Sequence, residues 1–198
     1  VYKRQDRKLK LEDAVDLIHA LDSELKELTD KKSGLVEQRD ELQASKDKVA
    51  PFNGLNYDVK KILGFRFMKF RFGRISREYY EKFYAYVYDS IDTVMFKCEE
   101  NDEYVWVVYF VPEKLADKID AIYASMHFER CYLPDEYEGT PVEAGHILDD
   151  RISAFQKQID AIDKEIVEAI SNRKDELVAA YSTVRTFSTN FDVRKMAA

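Results

Sequence analysis

Clustered acids, histidines and cysteines are the side chains in this sequence whose types could do chemistry. The tightest acidic cluster is Glu99, Glu100, Asp102 and Glu103. Such a cluster can hold a cation, but its spacing does not fit an EF-hand calcium loop, and no glycine stands at the required turn position. It reads instead as a solvated hairpin turn. His19, His127 and His146 are scattered, and none has a second histidine three or four residues away, the spacing a helical metal site needs. Asp149 with Asp150, or Asp89 with Asp92, could be offered as paired acid–base carboxylates. That work needs an apolar pocket to separate their pKa values, and nothing around them supplies one. They read as solvated helix ends.

Cys98 and Cys131 have no CxxC partner, which argues against a structural zinc site and suits a reducing compartment. No GxxxxGK or GxGxxG phosphate loop is present. The expectation is therefore a chain with no catalytic residue, no metal and no cofactor: not an enzyme.

What remains is a surface for recognition. Arg66, Lys69, Arg71, Arg74 and Arg77 form a basic run with no acid between Lys60 and Glu78, and Tyr79, Tyr80, Tyr84 and Tyr88 follow it. One reading is a docking patch for an acidic partner, steered by complementary charge, with exposed tyrosines adding contact area. Its candidate residues are Arg71, Arg74, Arg77, Tyr80 and Tyr84. The alternating strand would split the run between two faces, and the other reading is solubilising charge on a half-exposed strand beside a Tyr-rich helix that packs against the rod. The net charge of −7 argues against a nucleic-acid surface, which needs clustered Lys and Arg on a basic domain.

The elements that must position these residues come next. Charged residues make up 35% of the chain and hydrophobic ones 45%, with 6 Gly and 4 Pro, a balance that favours long helices. From Lys8 to Ala50, apolar residues recur three and four apart: Leu11, Ala14, Ile18, Leu21, Leu25, Leu28, Leu35, Leu42 and Val49. That is a coiled-coil seam, and its register also passes through Lys32, Arg39 and Lys46. Gly34 interrupts it and marks a bend or a close contact. Pro51 and Asn53-Gly54 stop the helix.

A second arm starts at the capping box Thr140-Pro141-Val142-Glu143. Its seam reads Leu148, Ile152, Phe155, Ile159, Ile162, Ile166, Ala169, Leu177, Ala180, Val184, Phe187 and Phe191, and Arg173 interrupts it. The arms match in length, so antiparallel pairing within one chain is the economical arrangement. Phe187 and Phe191 would extend past the first arm and need another partner.

Between the arms, Gly64 to Pro134 is rich in strand-type residues. GFRFMKFRFGR alternates apolar and basic with a slip near Phe67-Met68, which predicts a bulged strand. A helix follows over Arg77 to Tyr88, with Tyr79, Phe83, Tyr86 and Val87 on its inward face. Strands are expected over 93–98, 104–111 and 128–133, the middle one central because it is apolar on both faces. A helix from Pro112 to Met126 turns Leu115, Ile119, Ile122 and Met126 inward. The order βαββαβ is that of a ferredoxin-like fold, with sheet order 4-1-3-2 and both helices on one face. Cys98 and Cys131 then fall on opposite edges, and the second sheet face stays open unless something covers it. The predicted architecture is α+β: residues 1–52 as first arm, 53–139 as a ferredoxin-like lobe at the tip, and 140–198 as second arm of a long antiparallel two-helix coiled coil.

The segment YVWVVYFVPEKLADKIDAIYASMHFERCYLPDEYEGTP (104–141) resembles subunit I of bacterial V-type rotary ATPases, the counterpart of eukaryotic subunit a. FRFGRISREYYEKFYAYVYDS (70–90) is similar to the segment before it, and FDVRKMAA (191–198) to the run leading toward the membrane half. The resemblance implies a non-catalytic stator arm at the cytoplasmic face of the cell membrane, resisting torque during ATP-coupled ion transport. It implies docking of this distal lobe on the peripheral-stalk E and G subunits, and, through the family's proximal lobe, whose N-terminal part this sequence lacks, a contact near the central-stalk cap subunit. The rotor ring would be met only through a membrane half beyond this sequence. Val1 in place of Met and the helical-looking end read as the limits of an excised fragment, and no transport residue carries over. The rival reading is a free-standing coiled-coil adaptor whose ferredoxin-like module binds a regulatory ligand.

Overall fold

The computed structural model describes residues 9–90, 93–133 and 138–196, with side chains to residue 190. Asp92 and Pro134 lie outside these residues, as do the side chains of Ser90 and Phe191. Long helices accompany one small antiparallel sheet. The chain divides into two compact units: Val1–Gln38 with Ala154–Ala198, and Arg39–Ser153.

The second unit holds the sheet. Its strands are β1 (Met68–Ser76), β2 (Val94–Glu100), β3 (Tyr104–Pro112) and β4 (Glu129–Cys131), in the order β2-β3-β1-β4 with every pair antiparallel. Read from the other edge this is the expected 4-1-3-2. β3 lies centrally because both of its faces are apolar, so it must be covered twice. The expected bulge is not in β1, which pairs in continuous register from Met68 opposite Pro112 to Ser76 opposite Tyr104. The irregularity is in β2, between Lys97 and Glu99.

On one face of the sheet, Ile75, Val105, Val107, Tyr109 and Val111 pack with two helices, α3 (Arg77–Ser90) and α4 (Ala116–Ser125). α3 contributes Tyr80, Phe83 and Val87, while Tyr79 and Tyr86 are exposed. α4 contributes Ala116, Ile119 and Tyr123, and Leu115 is exposed. Phe83, Val87, Ile119 and Met126 thus face inward as expected, whereas Tyr79, Tyr86 and Leu115 do not, and Tyr80 and Tyr123 join the core instead. A tyrosine stripe looks alike on either side of Phe83, and the packing of the phenol rings decides.

The second face is not left open. After α1 (Leu11–Val49), a single 3-10 turn (Ala50–Phe52) and the short helix α2 (Val59–Leu63) lay Phe52, Leu55, Val59 and Ile62 over Phe70, Phe72 and Val108. Gly54 lets this strap run against β2, since a Cβ there would stand 2.5 Å from the Cys98 carbonyl oxygen. The strap meets the start of α5 (Pro141–Asn172): the Val59 amide donates to the Gly139 carbonyl at 2.9 Å. The capping box forms as expected. The Thr140 amide donates to Glu143 Oε2 at 2.7 Å, and the Glu143 amide to Thr140 Oγ1 at 3.3 Å. Val49 of α1 packs with Ala144 and Leu148 of α5.

The first unit is helical. Ala14, Leu21, Ile159, Ile162 and Ala180 are its buried apolar residues, and Ile18 is exposed where Leu17 is half-buried. Lys32 Nζ bonds Asp163 Oδ1 at 2.5 Å, and Arg173 pairs with Glu24. Residue numbers fall in one helix as they rise in the other, so the segments run antiparallel. Helix α5 ends at Asn172 and α6 (Lys174–Met196) begins just beyond Arg173, the residue that interrupts the seam. Gly34 has open space where a Cβ would stand, so it marks no close contact. Phe187 is exposed.

Candidate partner-docking surface

The basic run does not form one patch. Strand alternation sends Arg71 to the face covered by α3 and α4, where its Nε donates to Asp120 Oδ2 at 2.9 Å. Asp120 also accepts from the Tyr109 hydroxyl at 2.6 Å, which makes a half-buried Arg–Asp–Tyr network between sheet and α4. Arg74 points to the opposite face. It donates to Glu129 Oε2 at 2.6 Å and stacks its guanidinium 4.0 Å from the centre of the Tyr104 ring. Lys69 pairs with Glu113 at 3.1 Å.

Arg77 opens α3 beside the β2–β3 turn. Its amide donates to the Glu103 carbonyl at 2.8 Å, and its guanidinium to the Asn101 carbonyl at 3.2 Å. Tyr80, the next candidate, packs on the core rather than standing clear of it, and burial, with Tyr84 next, pushes its phenol above the usual range. Lys97 Nζ lies 5.7 Å from the centre of its ring. Tyr84 is exposed and lies between Tyr80 and Tyr88, with ring centres 6.0 and 6.3 Å away. Of the five candidates, Arg77, Tyr80 and Tyr84 share the α3 side, while Arg71 and Arg74 lie on opposite sheet faces.

The acidic turn is organised by its asparagine. Asn101 Oδ1 accepts from the Glu103 and Tyr104 amides at 2.8 and 2.7 Å, which closes the hairpin. Glu100 turns back to Lys97 at 2.9 Å, and that hydrogen bond holds its carboxyl below the ordinary range. His127 adopts a left-handed backbone (φ 64°) and stacks on Tyr79 at 4.8 Å, while His19 and His146 are exposed on helices. Asp149 pairs with Lys46 at 2.5 Å. Cys98 and Cys131 are free thiols on β2 and β4, the two sheet edges. Burial, then Glu99, pushes the Cys98 thiol up to about 11. Among the described residues, no group of three or more His, Cys, Asp or Glu is arranged to hold a metal ion. None of their helices is long and apolar enough to cross a membrane.

Sequence reasoning missed a cluster of exposed aromatic residues at the start of β1. Phe65 and Phe67 stand in solvent just before the strand, and Phe96 stands on β2. The slip in alternation at Phe67-Met68 was the available signal. It marks the point where the strand begins, so the phenylalanine before it has no sheet face to pack on.

No protein-family model matches this chain, and no curated protein matches it. Among solved structures, it is similar to one described as the cytoplasmic N-terminal domain of subunit I, homolog of subunit a, of V-ATPase. The TM-score is 0.56 at 13% identity, over 97% of this chain and 64% of that one. The likeness is one of fold.

Proposed function

We propose that this chain is a non-catalytic stator arm of a rotary V-type ATPase, acting at the cytoplasmic face of the membrane. The observation that carries the reading is a fold likeness running over almost the whole chain, to a domain of the same family that its segments resemble. In this reading the sheet unit is a ferredoxin-like lobe, supported by its βαββαβ order, and the paired helices are an antiparallel coiled coil, supported by their three-four seam and antiparallel ion pairs.

The role is mechanical. ATP hydrolysis elsewhere in the complex turns a rotor against a membrane half that must not turn with it, and the arm ties that half to the peripheral stalks. Two paired helices resist sideways load better than one. The lobe is the distal one and docks on the E and G stalk subunits, while the neighbourhood of the central-stalk cap subunit is met at the other end of the arm. The rotor ring is reached through the membrane half alone. Nucleotide and ion chemistry belong to other parts of the complex.

Co-purification tests this. The tagged chain should retain an E/G-type stalk heterodimer, and a chain with the lobe deleted should not. If the intact chain retains no stalk pair while a small metabolite raises its melting temperature, it is the ligand-binding adaptor instead.

A further inference from the structure

We infer that the docking surface for an acidic, amphipathic helix is the aromatic corner formed by Phe65, Arg66, Phe67, Val94 and Phe96, rather than the Arg71–Tyr84 set. Their exposure makes the first case. Phe67 is 81% exposed, Val94 54%, Phe96 50% and Phe65 49%. Isolated exposed apolar residues are ordinary on a protein surface, but contiguous ones mark interaction sites.

Phe65 and Phe96 are joined through two rings of the sheet face, and Val94 pairs with one of them, Phe110. Ring centres run from Phe96 to Phe110 at 5.4 Å, from Phe110 to Phe70 at 3.6 Å, and from Phe70 to Phe65 at 5.7 Å. The row crosses the sheet face that the strap covers at Phe70, Phe72 and Val108. At the two ends of the row, Val94 and Phe96 on one side and Phe65 on the other are about half exposed.

The corner is held in place. The Phe65 amide donates to the Ile62 carbonyl at 3.3 Å, and the Glu113 amide donates to the Phe67 carbonyl at 2.9 Å. Backbone bonds on both sides of Arg66 thus fix the turn, so its backbone needs little ordering on binding, which lowers the entropy cost of docking the aromatic rings it carries.

Charge selects the occupant. Lys69, Arg71 and Arg74 are each engaged by an acid of this chain, and Arg77 lies 3.8 Å from Asp102. The Arg66 side chain has no hydrogen bond or ion pair among the described residues. It stands between the two exposed phenylalanines, inside an acid-free stretch that runs from Val59 to Arg77 in a chain of net charge −7. The unspent positive charge of the run is therefore at the corner. A helix with an apolar stripe flanked by glutamates satisfies both features, laying the stripe on the rings and a carboxylate on Arg66.

This assignment rests on the lobe being a docking head, and two measurements separate the claims. The first titrates the full chain with a fluorescent 20-residue helical peptide carrying a leucine stripe flanked by glutamates. Binding is expected, and Phe65→Ser with Phe67→Ser should weaken it about tenfold or more. Arg66→Glu, which keeps every ring, should weaken it and flatten its salt dependence. Circular dichroism melts check that the variants fold, and Arg66→Glu alone suffices if the double variant does not. Equal binding by folded variants overturns the proposal. So does no peptide binding, or binding to phosphatidylglycerol vesicles in its place.

The second measurement repeats the stalk co-purification with the same variants. Capture lost in the variants supports the corner, whereas equal capture by all overturns it and leaves the stator reading standing. If no chain captures the stalk pair while the peptide still discriminates the variants, the corner holds and the stator reading falls.

Discussion

Tyr109, Asp120 and Arg71 form the polar network on which the helix face of the sheet depends. The Arg71 side chain is only 15% exposed, so losing Asp120 leaves its guanidinium with the Phe70 carbonyl but no carboxylate, and a phenol without its acceptor. Asp120→Ala should cost about 2–4 kcal/mol in urea denaturation, and Tyr109→Phe about 1 kcal/mol. The same interior gives the protein an alkaline limit. Burial pushes the Tyr123 phenol up to about 12, from an ordinary value of about 10. The folded state holds that proton more tightly, so the contribution is whole below pH 10 and is lost as pH rises towards 12. Tyr123→Phe should flatten the fall in melting temperature over that window. Strand alternation already splits the basic run between two faces in the sequence, but that Arg71 is turned inward onto Asp120 and Tyr109 depends on side chains far apart in the chain. Tyr123 carries no such signal, since its place in the core is set by the rings around it.

The long helices were legible because their seams repeat many times, and the Thr140–Glu143 box fixed one start to the residue. Removing that cap with Thr140→Ala should cost about 1 kcal/mol. At Gly34 a methyl group meets nothing, so Gly34→Ala should stabilise the helix by about 1 kcal/mol, read as a higher urea midpoint. The strap was not legible. Phe52, Leu55, Val59 and Ile62 are spaced three to four apart, but Asn53-Gly54 breaks the run and the helix that follows has five residues. A period cannot be read from so short a piece. Its role comes from the sheet face it covers, which is information held in β1 and β3.

The paired helices carry lysines at positions where apolar residues would pack better. Lys32 lies half-buried against Asp163, an exposed type of pair worth at most about 1 kcal/mol. Lys32→Met should therefore leave the melting temperature unchanged or raise it, while making the pairing less selective for register. Fold class, strand order and helix pairing were all within reach of the sequence, since each follows from a repeated pattern. The proposed docking corner was not. It depends on which charges are already used inside the protein, and that is settled by side chains far apart in the chain.

The closure at the base of the sheet unit also sets an order of events in time. Val59 and Gly139 are bonded across a long excursion of chain, and Val49 meets Ala144 and Leu148 across one longer still. Closing such a loop in a flexible chain costs several kcal/mol of entropy, about (3/2)RT ln n plus a constant. Once the sheet has formed, the two ends already lie side by side and most of that cost has been met. Pairing of α1 with α5 is therefore expected to follow formation of the sheet. Substitutions in β1 and β3 should slow refolding, whereas those at Val49 and Leu148 should chiefly hasten unfolding.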